Sequence, residues 1–90
     1  MEIKRIKVTC LKLYTYFGKT NIIGDKVKET RRKLGMTQCE LAAKLQIKSI
    51  NIEQKAISRI ENGERIVTDF ELLELSRVLN VSVEWLLAGE

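Results

Sequence analysis

Gln54, Lys55, Ser58, Arg59 and Asn62 follow one another at alternating steps of one and three, while Ala56, Ile57 and Ile60 fill the positions between them. On a helix those steps separate a polar stripe from an apolar one. The stripe carries amides, a hydroxyl and two cations but no carboxylate. A glutamine can pair bidentately with adenine, and arginine or lysine with the acceptor pair of guanine, while phosphate oxygens accept from any of these donors. The chemistry available is recognition of nucleic acid; the plain alternative is a solvated helix face. Bond-making chemistry has little foothold, because the chain contains no histidine and only two isolated cysteines, Cys10 and Cys39. Without His, paired Cys or a Gly-rich phosphate loop, neither an enzyme, a metal site nor a cofactor is expected.

Two short helices must position the stripe. Thr37 precedes a helical apolar pattern and Glu40 stands at N3, the signature of a capping box. Leu41, Ala42 and Leu45 give that first helix its inward face. The second runs from about Glu53 to Asn62, and Gly63 stops it by taking the left-handed conformation beyond the last turn. The connector from Gln46 to Ile52 is longer than the turn of about 3 or 4 residues usual between such helices. Ile47, Ile50 and Ile52 are expected to anchor it. Lys48 and Ser49 either reach a phosphate from it or belong to a plain surface insertion.

These residues resemble the helix-turn-helix family of phage lambda Cro and repressor, the Xre type. Met36-Thr37-Gln38 and Glu40-Leu41-Ala42 carry the likeness in the first helix, and Ile57-Ser58-Arg59-Ile60-Glu61-Asn62-Gly63 in the second. Ile23-Gly24, Leu72, Leu75, Leu79 and Val81 to Leu87 extend it. The resemblance implies an all-α, five-helix lambda-repressor-like bundle that binds double-stranded DNA as a transcriptional regulator, most readily a repressor. Such modules usually bind as two-fold homodimers on half-sites about one helical turn apart. By resemblance Gln54, Lys55 and Arg59 contact bases, and Gln38 touches a phosphate and braces Gln54. Ser58, Asn62, Lys44, Lys48 and Arg65 support phosphate contacts. Arg31 and Glu61 match positions that form an internal ion pair in some relatives.

The 90 residues allow one small domain resting on closely packed helices. Residues 21–90 are expected to form the helix-turn-helix domain and residues 1–20 an amino-terminal arm that the resemblance does not cover. In the arm, Ile6, Val8 and Cys10 alternate with polar residues and Leu13 to Phe17 favour a strand. It is either a loosely docked arm, even a mis-assigned start, or a strand for dimerisation or a protein partner. The net charge of +4 lies wholly in the first 22 residues, since eleven cations balance eleven acids from Ile23 onward. Global basicity therefore argues little, whereas Lys44, Lys48, Lys55, Arg59 and Arg65 around the stripe argue more.

The remaining helices supply support. The first is expected from Ile22 to Leu34, with Asn21 as cap, Ile23, Val27 and Leu34 inward, and Thr30 where relatives carry an aliphatic residue. Thr68 with Glu71 opens another helix whose Phe70, Leu72, Leu73, Leu75, Val78 and Leu79 are expected in the core, and Asn80 ends it. Ser82 caps the last, and Trp85 reads as a core or dimer anchor. No apolar run reaches the roughly 18 to 20 residues of a membrane span, no signal-peptide pattern opens the chain, and a reducing cytoplasm suits the cysteine usage. The rival reading from another class is an antitoxin or adaptor that uses the same fold as a protein-interaction module.

Overall fold

The computed structural model describes residues 16–89. Five helices follow in order: α1 (Gly24–Lys33), α2 (Gln38–Ile47), α3 (Gln54–Glu61), α4 (Asp69–Leu79) and α5 (Val83–Ala88). Among the described residues the sole β pairing is a bridge between Tyr16 and Lys19. The expected all-α bundle of five helices is what forms. The expected strand at Ile6, Val8 and Cys10 lies outside the described residues, and the described end of the Leu13 to Phe17 stretch is a tight turn in which Phe17 takes φ +51° and Tyr16 bridges to Lys19.

Local signals set the helix ends. Thr37 accepts from the Glu40 amide at 3.0 Å while the Glu40 carboxylate accepts from the Thr37 amide at 2.8 Å, closing the capping box reciprocally. Thr68 and Glu71 repeat the motif at α4, and Ser82 caps α5 by accepting from the Trp85 amide. At the other end of α3, Gly63 adopts φ +76°, and its amide and that of Glu64 donate to Ile60 and Arg59. This pair of bonds satisfies carbonyls the helix leaves open. Asn80 closes α4 in the same left-handed region.

The core is continuous. Val27 from α1, Leu41 and Leu45 from α2, Ile57 and Ile60 from α3, Leu75 and Leu79 from α4 and Leu86 from α5 are all buried, and α3 packs against both α1 and α2. Burying a side chain of this size stabilises by about 1.5 to 3 kcal/mol. Thr30 is buried, so it takes its place on the inner face of α1.

Four apolar residues stand elsewhere than expected. Leu34, Phe70 and Leu73 are exposed, as is Ile47. Leu34 follows the last turn of α1, where the chain has already left the core face. Phe70 occupies the first turn of α4, which leaves Leu75 and Leu79 to bury that helix. Ile47 ends α2 on its outer side, and the connector is anchored by Ile50 and Ile52 alone.

Asn21 joins the start of α1 to the end of α3. Its Oδ1 accepts from the amides of Ile23 and Gly24, and its Nδ2 donates to the carbonyls of Ile60 and Arg65. The helix begins at Gly24, two residues later than expected, while Asn21 still serves the free amides of Ile23 and Gly24 as a cap would. The same junction explains Gly24. A Cβ there would collide with the carbonyl oxygen of Ile60 and lie 2.8 Å from that of Glu61. The two backbones can approach this closely only across a glycine.

Candidate nucleic-acid interface

A chain of side-chain contacts runs from α1 through α3 to α2 and back to α3. Arg31 donates through Nε to Glu61 Oε2 at 2.6 Å and through Nη2 to Glu61 Oε1 at 3.0 Å, with both side chains almost wholly out of solvent. Its Nη1 donates to the Met36 carbonyl. Gln38 Nε2 donates to the same Glu61 Oε1 at 3.0 Å, and Gln38 Oε1 accepts from Gln54 Nε2 at 2.7 Å. Because Glu61 consumes the donor end of Gln38, the acceptor end is the one left to hold Gln54. The first residue of the polar stripe is thus fixed by a charge at the opposite end of its own helix. The bonds to Glu61 raise the pKa of Arg31 against the opposing effect of burial.

The stripe itself faces outward. Gln54, Lys55, Arg59 and Asn62 are exposed and Ser58 is half-buried, while Ala56, Ile57 and Ile60 turn inward. Lys44 and Lys48 are exposed on α2 and just beyond it, outside that stripe. The inner face of α3 gains its burial from the core, so the outer face can remain polar at no cost in packing. Donor-rich chemistry on a projecting helix of 8 residues matches the requirements of base edges and phosphates.

Arg65 is held differently from the stripe residues. It pairs bidentately with Glu71, at 2.9 and 3.1 Å, and also donates to the Ile66 carbonyl. Burial pushes the Glu71 carboxyl upward, yet the bonds from Arg65 and Thr68 outweigh it and hold the group below its ordinary value. Arg65 therefore fixes the segment after α3 onto the start of α4. It still lines a shallow groove together with Lys55 and Arg59.

The connector after α2 is ordered by its own backbone. Ser49 takes φ +66°, its amide donates to Gln46 and that of Ile50 to Leu45, while Gln46 Nε2 donates to the Ile52 carbonyl at 2.8 Å. Sequence reasoning singled out Lys48 and Ser49 here but not Asn51, which lines the groove beside Lys55 and Arg59. Nor did it assign Asn21 its contacts with α3. Neither residue belongs to a periodic pattern, and contacts between residues 39 and 44 apart leave no local signal. Among the described residues no group of His, Cys, Asp or Glu is arranged to hold a metal ion.

A short polar helix presented by a capped partner helix over a five-helix core defines a helix-turn-helix module. The chain belongs to the helix-turn-helix family, whose model matches residues 27–86. It is 40% identical over 68 residues to the HTH-type transcriptional regulator ImmR of Bacillus subtilis (strain 168), an alignment covering 76% of this chain and 50% of that protein. Against the HTH-type transcriptional regulator DicA of Escherichia coli (strain K12) the identity is 34% over 68 residues, covering 76% and 47%. The chain thus spans about half the length of these curated relatives. Among solved structures, the P22 c2 repressor protein in complex with synthetic operator 9T superposes with a TM-score of 0.66 at 30% identity, covering 79% of this chain and 100% of that one. The DNA-binding domain of BldD gives 0.65 at 25% identity, covering 81% and 99%.

Proposed function

We propose that this chain binds duplex DNA sequence-specifically and regulates transcription in the cytoplasm, acting as a repressor by occupying an operator that overlaps a promoter. The observation that carries the reading is the exposed, carboxylate-free stripe of α3 with its first residue braced through Gln38 and Glu61. Its relatives, two HTH-type transcriptional regulators and a repressor in complex with a synthetic operator, favour the same reading. In this reading Gln54, Lys55 and Arg59 meet base edges, Gln38, Ser58, Asn62 and Lys48 meet phosphates, and Arg65 adds a donor from beside them. Two copies on a two-fold axis would place two α3 helices in successive major grooves on one side of the duplex. Selection of bound sites from random duplex tests it: a symmetric consensus is expected, and no enrichment over input would contradict it.

A second reading, a protein-interaction module of the antitoxin or adaptor kind, is favoured by a separate observation. Ile22, Ile66 and Leu87 are exposed around an apolar groove that Thr20, Val67 and Leu72 also line, on residues outside the stripe. Apolar side chains clustered in this way commonly mark a contact with another chain. The two readings are compatible, since a partner held there leaves α3 free. Residues 1–20 are proposed to contribute to that contact, either with a second copy or with a different protein.

A further inference from the structure

We infer that Asn51, in the connector between α2 and α3, is a DNA-positioning residue that helps seat one backbone phosphate in the groove it shares with Lys55, Arg59 and Arg65. The inference rests on the proposed docking of α3 in the major groove and assigns what lies on its far flank. An α-helix with its side chains is about 10 to 12 Å across, and the major groove of B-DNA is about 12 Å wide. A helix lying in that groove therefore has a sugar–phosphate backbone along each flank. One flank of α3, carrying Gln54 and Glu61, is occupied by Gln38 from α2. The other, carrying Lys55 and Arg59, borders a groove of about 300 Å³ that Asn51 and Arg65 also line.

The chemistry of that groove suits a phosphate. Lys55 and Arg59, whose tips reach for base edges, lend the groove a positive field, while Arg65, neutralised by Glu71, supplies direction without net charge. Of the five guanidinium donors, three go to Glu71 and Ile66, so two are left among the described residues. Asn51 adds an amide donor from a connector that is held in place on both sides: Ile50 and Ile52 are buried, and Gln46 donates to the Ile52 carbonyl. A donor on an anchored backbone loses little freedom on binding, which favours its use as a fixed contact. The only carboxylate on the wall is Glu53, which makes no capping bond to α3. Asn51 itself is exposed and hydrogen-bonds to no described residue, so changing it leaves the fold intact.

The test uses the full chain with Asn51→Ala and Asn51→Asp, each titrated against the selected operator and a scrambled duplex. One hydrogen bond to a phosphate converts to a loss of about tenfold or more. Asn51→Ala is expected to weaken both duplexes by a similar factor with the base preference unchanged, and Asn51→Asp, which sets a carboxylate against the phosphate, to weaken them further. Ethylation interference should lose one phosphate signal per half-site in Asn51→Ala. Wild-type affinities retained by both variants would overturn the inference while leaving DNA binding by α3 standing. A loss confined to operator, with a changed base preference, would also overturn it, because Asn51 would then read a base. If the wild-type chain enriches no duplex at all, the inference falls together with the reading beneath it.

Discussion

Arg31 and Glu61 meet across the interface of α1 and α3 as a two-point pair, with Glu61 Oε1 shared by Gln38. Truncating the arginine leaves a carboxylate whose side chain is 1% exposed with only the Gln38 amide for a partner. Breaking a buried pair from one side costs about 3 to 5 kcal/mol, whereas an exposed pair is worth about 1 kcal/mol at most. Arg31→Ala is therefore expected to lower the unfolding free energy by about 3 kcal/mol in urea titration, and a loss under 1 kcal/mol would contradict the buried pair.

Gly24→Ala tests the close approach of α1 to the end of α3. Alanine gains about 1 kcal/mol of helix propensity over glycine, but its Cβ would meet two backbone carbonyls that cannot rotate away. Overpacking of this kind costs about 1 to 3 kcal/mol and more where backbone must shift. Thermal unfolding should show a lower midpoint; a midpoint at or above wild type would mean that the helices can part freely at this junction.

Glu71 gives the protein an acid-dependent component of stability. Its folded pKa is depressed, so its contribution is fully present above the unfolded carboxylate pKa of about 4.3 and is lost as pH falls through the lower folded value. Comparing wild type with Glu71→Gln from neutral to acid pH should show a stability gap that is constant at neutral pH and narrows below about pH 4.3. A gap independent of pH would remove the ionised pair with Arg65 from the account.

The helix caps and the stripe are legible in the sequence because their signals are local or periodic, whereas the pair of Arg31 with Glu61, 30 residues apart, is implied only by the family resemblance. Thr37 with Glu40 and Thr68 with Glu71 satisfy backbone donors three residues away, so type and spacing alone identify them. Spacing does not place Phe70 and Leu73, because α4 carries apolar residues on more than one side and nothing local says which side meets the core. Ile47 does not anchor the connector, because α2 continues through it. The bond of Arg65 to Glu71 has no signature of its own, because that carboxylate also belongs to a capping box.

Removal of residues 1–15 separates folding from assembly. The bonds that join the described amino-terminal part to the bundle begin at Thr20, whose amide donates to Gly63 at 2.7 Å, and continue through Asn21. Circular dichroism of the truncated chain should retain the helical signal and a cooperative transition, while sedimentation should report a smaller assembly. An unfolded truncated chain would place those residues in the core; unchanged sedimentation would exclude them from assembly.

The most direct measurement of what α3 does is a titration of wild type, Arg59→Ala and Lys48→Ala against operator and scrambled duplex over a range of salt. Arg59 stands on the exposed stripe and Lys48 stands off it. Arg59→Ala is expected to lose about 1 to 3 kcal/mol on operator, with preference relaxed at one position per half-site and much less loss on scrambled duplex. Lys48→Ala is expected to weaken both duplexes alike and to lower the salt slope by about one unit for each phosphate contact removed. Equal losses on the two duplexes for Arg59→Ala would contradict base reading by α3.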